Sequence, residues 1–176
     1  MKQLQADYVE RRDTLVKLLG IDLDWRLHMV SDGQRRRVQL LLALIRPFDI
    51  LLLDEVTTCL DVVVRQDLLN WLVEESITRK CTILYATHIF DGMDDWPTHI
   101  HYLTRNGTTG WQGRMNDLES YNTLRKLGHP SPILKVVSTW LRTEDADIEK
   151  ESGVLALEHY DPTVSGGGYN PGRMLS

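Results

Sequence analysis

Two short apolar runs, "DILLLDE" over residues 49–55 and "CTILYATH" over residues 81–88, constrain this chain more than any other feature. Each is short, rich in β-branched and aliphatic residues, and almost free of polar alternation, so each reads as a strand buried on both faces of a parallel sheet. Between them, "VVVRQDLLNWLVEES" repeats its apolar residues at helical spacing. Strand, helix and strand joined by short links form the pattern of a right-handed α/β crossover.

The flanking segments extend that pattern. Residues 7–19, "DYVERRDTLVKLL", read as an amphipathic helix closed by Gly20, a residue suited to a C-cap. A second helix is predicted from Ser31 to Arg46, with Val38, Leu41, Leu42 and Ile45 at helical spacing and Pro47 as its stop. Residues 91–113, "DGMDDWPTHIHYLTRNGTTGWQG", read as a helical turn, a strand and a glycine-rich hairpin. Beyond Asn116 the sequence turns helical through "NDLESYNTLRKLG" and "SPILKVVSTWLRTEDADIEKE", and "SGGGYNPGRMLS" closes it with the composition of a disordered tail. The expected fold class is therefore α/β, a mostly parallel sheet with flanking helices, a helical C-terminal extension and a disordered tail. The expected divisions are residues 1–115, 116–151 and 152–176.

Composition narrows the function. No run of 18 apolar residues is present, and the charged start "MKQLQADYVERRDTL" is not a signal peptide. A net charge of −5 argues against direct nucleic-acid binding, which rests on neutralising phosphates. Arg35, Arg36 and Arg37 form the one dense basic spot and read as a solvated helix face. Cys59 and Cys81 lack metal-ligand spacing and read as free thiols of a reducing compartment, the cytoplasm or the nucleus. His99 and His101 share one strand face, where surface or packing roles outweigh metal binding. The tryptophans Trp25, Trp71, Trp96, Trp111 and Trp140 read as packing residues.

Chemistry gathers at the strand ends. Asp54 and Glu55 close the first buried strand at its carboxyl edge, where open α/β sheets hold their ligands. His88 closes the second strand at the corresponding edge. Asp61 opens a helix, and an N-cap is its simplest role. "SDGQ" at 31–34 sets a hydroxyl and a glycine at a helix start, whose unpaired N–H groups and dipole favour an anion.

Taken together, "SDGQ" at 31–34, "LLLDE" at 51–55, "CLD" at 59–61 and "ATH" at 86–88 resemble four motifs of the ABC-type ATPases: signature loop, Walker B strand, D-loop and switch histidine. Order and separations agree, with 23 positions from Ser31 to Asp54 and 33 from Glu55 to His88. "SDGQRRRVQ", "LLLDEVT" and "YATHIFDG" are most similar to the soluble, non-intrinsic branch, the plant ABC subfamily I and a fungal relative tied to a transcription and mRNA-deadenylation regulatory complex. In that family two domains pack head to tail and enclose two ATP molecules. The resemblance implies that Ser31, Gly33 and Gln34 contact ATP held by a partner domain, and that Asp61 links the two sites. It further implies that Asp54 orients Mg²⁺ through water, Glu55 acts on the attacking water and His88 contacts the γ-phosphate. Three positions depart from the pattern: Asp32 stands in place of a glycine, Val56 of a proline and Thr58 of a serine. Asp32 brings a carboxylate near a phosphate unless it points away or is balanced by Arg35 or Arg36.

The resemblance covers residues 5–115 strongly and the remainder loosely. A P-loop, G-x-x-x-x-G-K-[ST], is not found, since no glycine in the sequence is followed by lysine, and no glutamine loop is recognisable. The expectation is a C-terminal part of a soluble ABC-type ATPase, not expected to turn over ATP by itself, that offers its signature loop to a homologous ABC subunit. The alternative is a non-catalytic regulatory protein that pairs with an intact ABC ATPase or a regulatory complex. A sheet without its P-loop strand would also expose an apolar edge. Losing a few hundred Å² of burial at ~25 cal/mol per Å² rivals a domain's whole stability of ~5–15 kcal/mol.

Overall fold

In a computed structural model, residues 8–158 are described, with side chains as far as residue 147. The part of the expected tail from residue 159 onward lies outside the described residues. The chain divides into two compact units, one ending at Thr98 and the other beginning at His99.

The first unit contains α1 (Val9–Leu18), α2 (Asp32–Leu44), β1 (Ile50–Asp54), α3 (Val62–Arg79) and β2 (Thr82–Ala86). Gly20 follows α1 at φ 59°, a left-handed conformation in which its N–H donates to the carbonyl of Lys17 and that of Ile21 to Val16. α2 ends at Leu44, before the Arg46 limit predicted from sequence. The three helices and one face of the sheet enclose a core built on Leu15, Leu44, Leu53, Leu68 and Leu72. Each such side chain contributes about 1.5–3 kcal/mol of burial. Arg11 fastens the helices at the edge of that core. Its Nε donates to the Leu44 carbonyl at 2.8 Å, an Nη meets Glu75 at 2.7 Å, and its guanidinium lies 4.7 Å from the Trp71 ring centroid.

β1 and β2 pair in parallel, in register from Ile50 opposite Thr82 to Asp54 opposite Ala86. Their carboxyl ends therefore coincide. The expectation that both strands are buried on both faces is corrected here. Leu51 and Leu53 are buried, but Ile50 and Leu52 are 67% and 74% exposed, and β2 alternates exposed with half-buried positions. The period of two shows the reason: helices of this unit cover one face of the pair, and none of its described elements covers the other.

The second unit contains β3 (His99–Leu103), β4 (Thr109–Arg114), a short 3₁₀ turn (Met115–Asp117), α4 (Glu119–Lys126) and α5 (Pro132–Glu158). The strand and glycine-rich hairpin read over residues 91–113 form a sheet of their own. β3 pairs antiparallel with β4, because Thr104 and Thr108 close a tight turn that folds the chain back on itself. Tyr102 and Trp111 from this hairpin stack with Trp140 of α5 at centroid separations of 4.8 and 6.2 Å. The packing role expected for these tryptophans is the one they take. His101 Nε2 bonds Thr109 Oγ1 at 2.9 Å across the same hairpin.

Candidate functional site

The candidate site residues all lie in the first unit, on loops that follow strands or open helices. Ser31 is the N-cap of α2. Its Oγ accepts the Gln34 N–H at 3.2 Å, and its own N–H donates to Gln34 Oε1 at 2.9 Å, a reciprocal capping box. Gln34 thus fixes the loop that the family resemblance implies lies near a nucleotide. The early N–H groups of α2, including that of Gly33, have no intrahelical acceptor, as at every helix start. A Cβ at position 33 would stand 3.5 Å from the Cys59 carbonyl, an ordinary contact distance, so the loop lies against the segment that follows β1.

The charges near this helix start are distributed unequally. Asp32 is 96% exposed and paired with Arg35 at 2.9 Å, so the carboxylate is both turned outward and balanced. Arg36 is exposed and reaches Gln39. Arg37 departs from the expected solvated face. It is partly buried, its Nη1 donates to the Leu19 carbonyl at 3.3 Å, and its Nη2 meets Asp61 at 2.9 Å. The signal was present in the spacing, since Arg37 lies one turn from Gly33 and from the buried Leu40 and Leu41, on the inward side of the helix.

Asp61 caps α3, accepting the Val64 N–H at 3.0 Å. That backbone hydrogen bond, aided by the Arg37 guanidinium, holds its carboxyl below the usual aspartate value against a smaller opposing effect of desolvation. Asp61 therefore combines the capping role read from sequence with an ion pair that sequence did not show.

At the carboxyl edge of the sheet, Asp54 ends β1 with its side chain exposed. Glu55 leaves the strand with φ 48°, a left-handed conformation rare for a residue with a side chain, while its N–H donates to Ala86 at 3.0 Å. The turn aims its carboxylate across the sheet edge. Glu55 Oε2 lies 2.7 Å from His88 Nδ1, with the imidazole 72% exposed. Two residues 33 positions apart are thereby joined at one strand edge, next to Asp54. A carboxylate in close contact with an exposed imidazole, beside a second carboxylate, can polarise water and contact an anion in the space beyond the strands.

The chain as a whole has relatives. The chain is 48% identical over 135 residues to ABC transporter I family member 20 of Arabidopsis thaliana, covering 77% of this chain and 39% of that protein. Over 104 residues it is 52% identical to CCR4-associated factor 16 of Saccharomyces cerevisiae, covering 58% of this chain and 36% of that one. Its fold overlays on the dimeric structure of a bacterial ABC transporter cassette with a TM-score of 0.52 at 21% identity, covering 60% of this chain and 46% of the cassette. The chain belongs to the ABC-type ATPases. What it shares with them is the C-terminal part of the nucleotide-binding domain, and it spans less than half the length of each of these three proteins. No family profile matches the chain. No helix among the described residues is long and apolar enough to cross a membrane.

Proposed function

We propose that this ABC-type segment supplies one side of an ATP site formed with a second, homologous domain. The observation that carries the reading is the 2.7 Å contact between Glu55 and His88 beside Asp54, at the coincident carboxyl ends of β1 and β2. In this reading Glu55 orients the attacking water and His88 contacts the γ-phosphate. Ser31, Gly33 and Gln34 face an ATP whose phosphates lie on the P-loop of the other domain, and Asp61 stands at the interface. The capping box supports the second half, because it fixes the hydroxyl and leaves the early N–H groups of α2 pointing outward.

Asp54 is the residue suited to Mg²⁺. Among the described residues no cluster of three or more His, Cys, Asp or Glu could hold a metal ion. A single carboxylate is nevertheless a fitting donor set, since Mg²⁺ completes its octahedron with water and nucleotide phosphates. When bound with the nucleotide, the ion would neutralise phosphate charge; Asp54 would orient it from the strand end. The dimeric cassette whose fold matches supports a second ABC domain as the partner, and the likeness to CCR4-associated factor 16 supports a regulatory complex as the setting. Free Cys59 and Cys81 support a reducing compartment.

The test pairs the chain with an intact ABC-type domain that carries a P-loop. Fluorescent ATP analogue is titrated into that domain with and without this chain, using wild type and Ser31→Arg. The expected result is tighter nucleotide binding with the wild-type chain and loss of that gain with Ser31→Arg. ATP turnover by this chain alone, abolished by Glu55→Gln, would overturn the two-domain reading.

A further inference from the structure

We propose that Arg65 is a positioning residue that sets His88 against Glu55. Arg65 lies one turn into α3, where its backbone N–H donates to the Asp61 carbonyl at 2.9 Å. Its side chain is buried at 8% exposure and runs from the helix toward the segment after β2. There Nη2 donates to the Ile89 carbonyl at 3.0 Å. The Ile89 N–H in turn donates to Thr87 Oγ1 at 3.0 Å. Both backbone groups of the residue after His88 are therefore fixed, one by the neighbour on the other side of the histidine and one by α3.

The environment of the guanidinium makes this more than incidental packing. Burying a charge is costly unless it is paired and hydrogen-bonded. Among the described residues Arg65 forms no ion pair with a carboxylate, and its Nε is buried without a hydrogen-bond partner. What the cation gains is the Ile89 carbonyl. A residue kept only for burial would be better served at this position by a leucine, like the neighbouring Leu68 and Leu69. Nearby, a side chain at position 92 would stand 2.6 Å from Gln66 Oε1, so α3 and the segment after β2 lie against each other at a second point.

The imidazole itself is 72% exposed and has little packing to hold it. Its 2.7 Å approach to Glu55 depends instead on where the backbone from Thr87 to Ile89 sits. Arg65 controls that position from a helix whose first residue follows the Asp61 cap. The role of the contact rests on the ATPase reading above, but the contact and its test do not need nucleotide.

The experiment is magnetic resonance of His88 ring nuclei in the full chain without nucleotide. In the wild-type background, Glu55→Gln is expected to shift the His88 ring signals. In an Arg65→Leu background that response should be lost, and exchange of the Ile89 amide should accelerate about tenfold or more. Arg65→Lys, which keeps the charge but lacks the fork, should give an intermediate response, and it carries the test if Arg65→Leu does not fold. Leu72→Val lowers stability in the same helix without touching Ile89 and should leave the His88 response intact. A full response in the Arg65 variants, or an equal loss in Leu72→Val, overturns the proposal. Failure of the nucleotide titration with these results intact would instead count against the two-domain ATP reading alone.

Discussion

Arg37 and Asp61 are separated by 24 positions and joined by an ion pair of 2.9 Å, so the first turns of α2 and the N-cap of α3 are held together. The same two segments touch where Gly33 faces the Cys59 carbonyl. Asp61 accepts the Val64 N–H as well, and the two interactions lower its pKa. A carboxyl whose folded pKa is depressed contributes stability at neutral pH that is lost as pH falls through the folded value, below the ordinary value of about 3.9. Asp61→Asn keeps a capping side chain and removes only the charge. Thermal unfolding should find the variant less stable than wild type at neutral pH, with the difference closing below about pH 4. A difference that persists unchanged in acid would mean that the charge of Asp61 contributes nothing.

The capping box at Ser31 separates stability from ligand contact. Ser31→Ala removes the acceptor for the Gln34 N–H and should lower stability by ~1 kcal/mol, a fall in melting temperature of roughly 2–4 °C for a chain of this size. Ser31→Asp restores a strong N-cap and should melt near the wild-type temperature. It also places a carboxylate where the proposed site meets a phosphate, so the gain in nucleotide binding by an intact partner domain should vanish. Ser31→Asp that retains the full gain would show that the α2 start does not face the nucleotide.

Glu55 is held at φ 48°, and this strain predicts a conflict between folding and chemistry. Non-glycine residues in sparsely populated backbone regions cost roughly 1–3 kcal/mol, least for Asn and most for β-branched residues. Glu55→Asn should therefore melt at or above the wild-type temperature, while Glu55→Ile should be less stable by about 1–3 kcal/mol. Both remove the carboxylate that meets His88. Equal melting temperatures for the two variants would show that the backbone at this position is not under strain.

The order of elements and the cap residues were legible because they depend on local patterns. Ser31 and Asp61 stand where cap chemistry puts them, and Gly20 ends α1 where left-handed backbone is needed. The exposure of Leu52 was not legible, since an unbroken apolar run looks the same whether one face or both are covered. Arg37 was read as part of a solvated helix face, and no sequence feature singled out Arg65. Their roles depend on Asp61 and on the Ile89 carbonyl, 24 positions away in each case, and no local pattern carries that distance. The left-handed turn at Glu55 was hidden for a related reason: tertiary contacts override the residue's own preference. That Glu55 and His88 close neighbouring strands at corresponding edges was legible in the apolar runs, but their direct contact was not; the parallel register of β1 and β2 supplies its geometric cause.

In the second unit, Tyr102 stacks on Trp140 with its hydroxyl buried. Burial, and next the Glu144 carboxylate beside it, push its pKa up to about 12. The folded state thus retains a proton that the unfolded chain gives up near pH 10, so this stabilisation is complete below about 10 and is lost as pH rises through the folded value. Tyrosinate absorbance in an alkaline titration should show a step near 12 that belongs to Tyr102. Tyr102→Phe should remove that step and flatten the alkaline fall in melting temperature. Glu144→Gln should move the step toward the ordinary tyrosine value by removing the negative charge, while burial keeps it above that value. If every tyrosine ionises near 10 in the folded chain, the Tyr102 hydroxyl is in contact with water and α5 does not cover the hairpin as described.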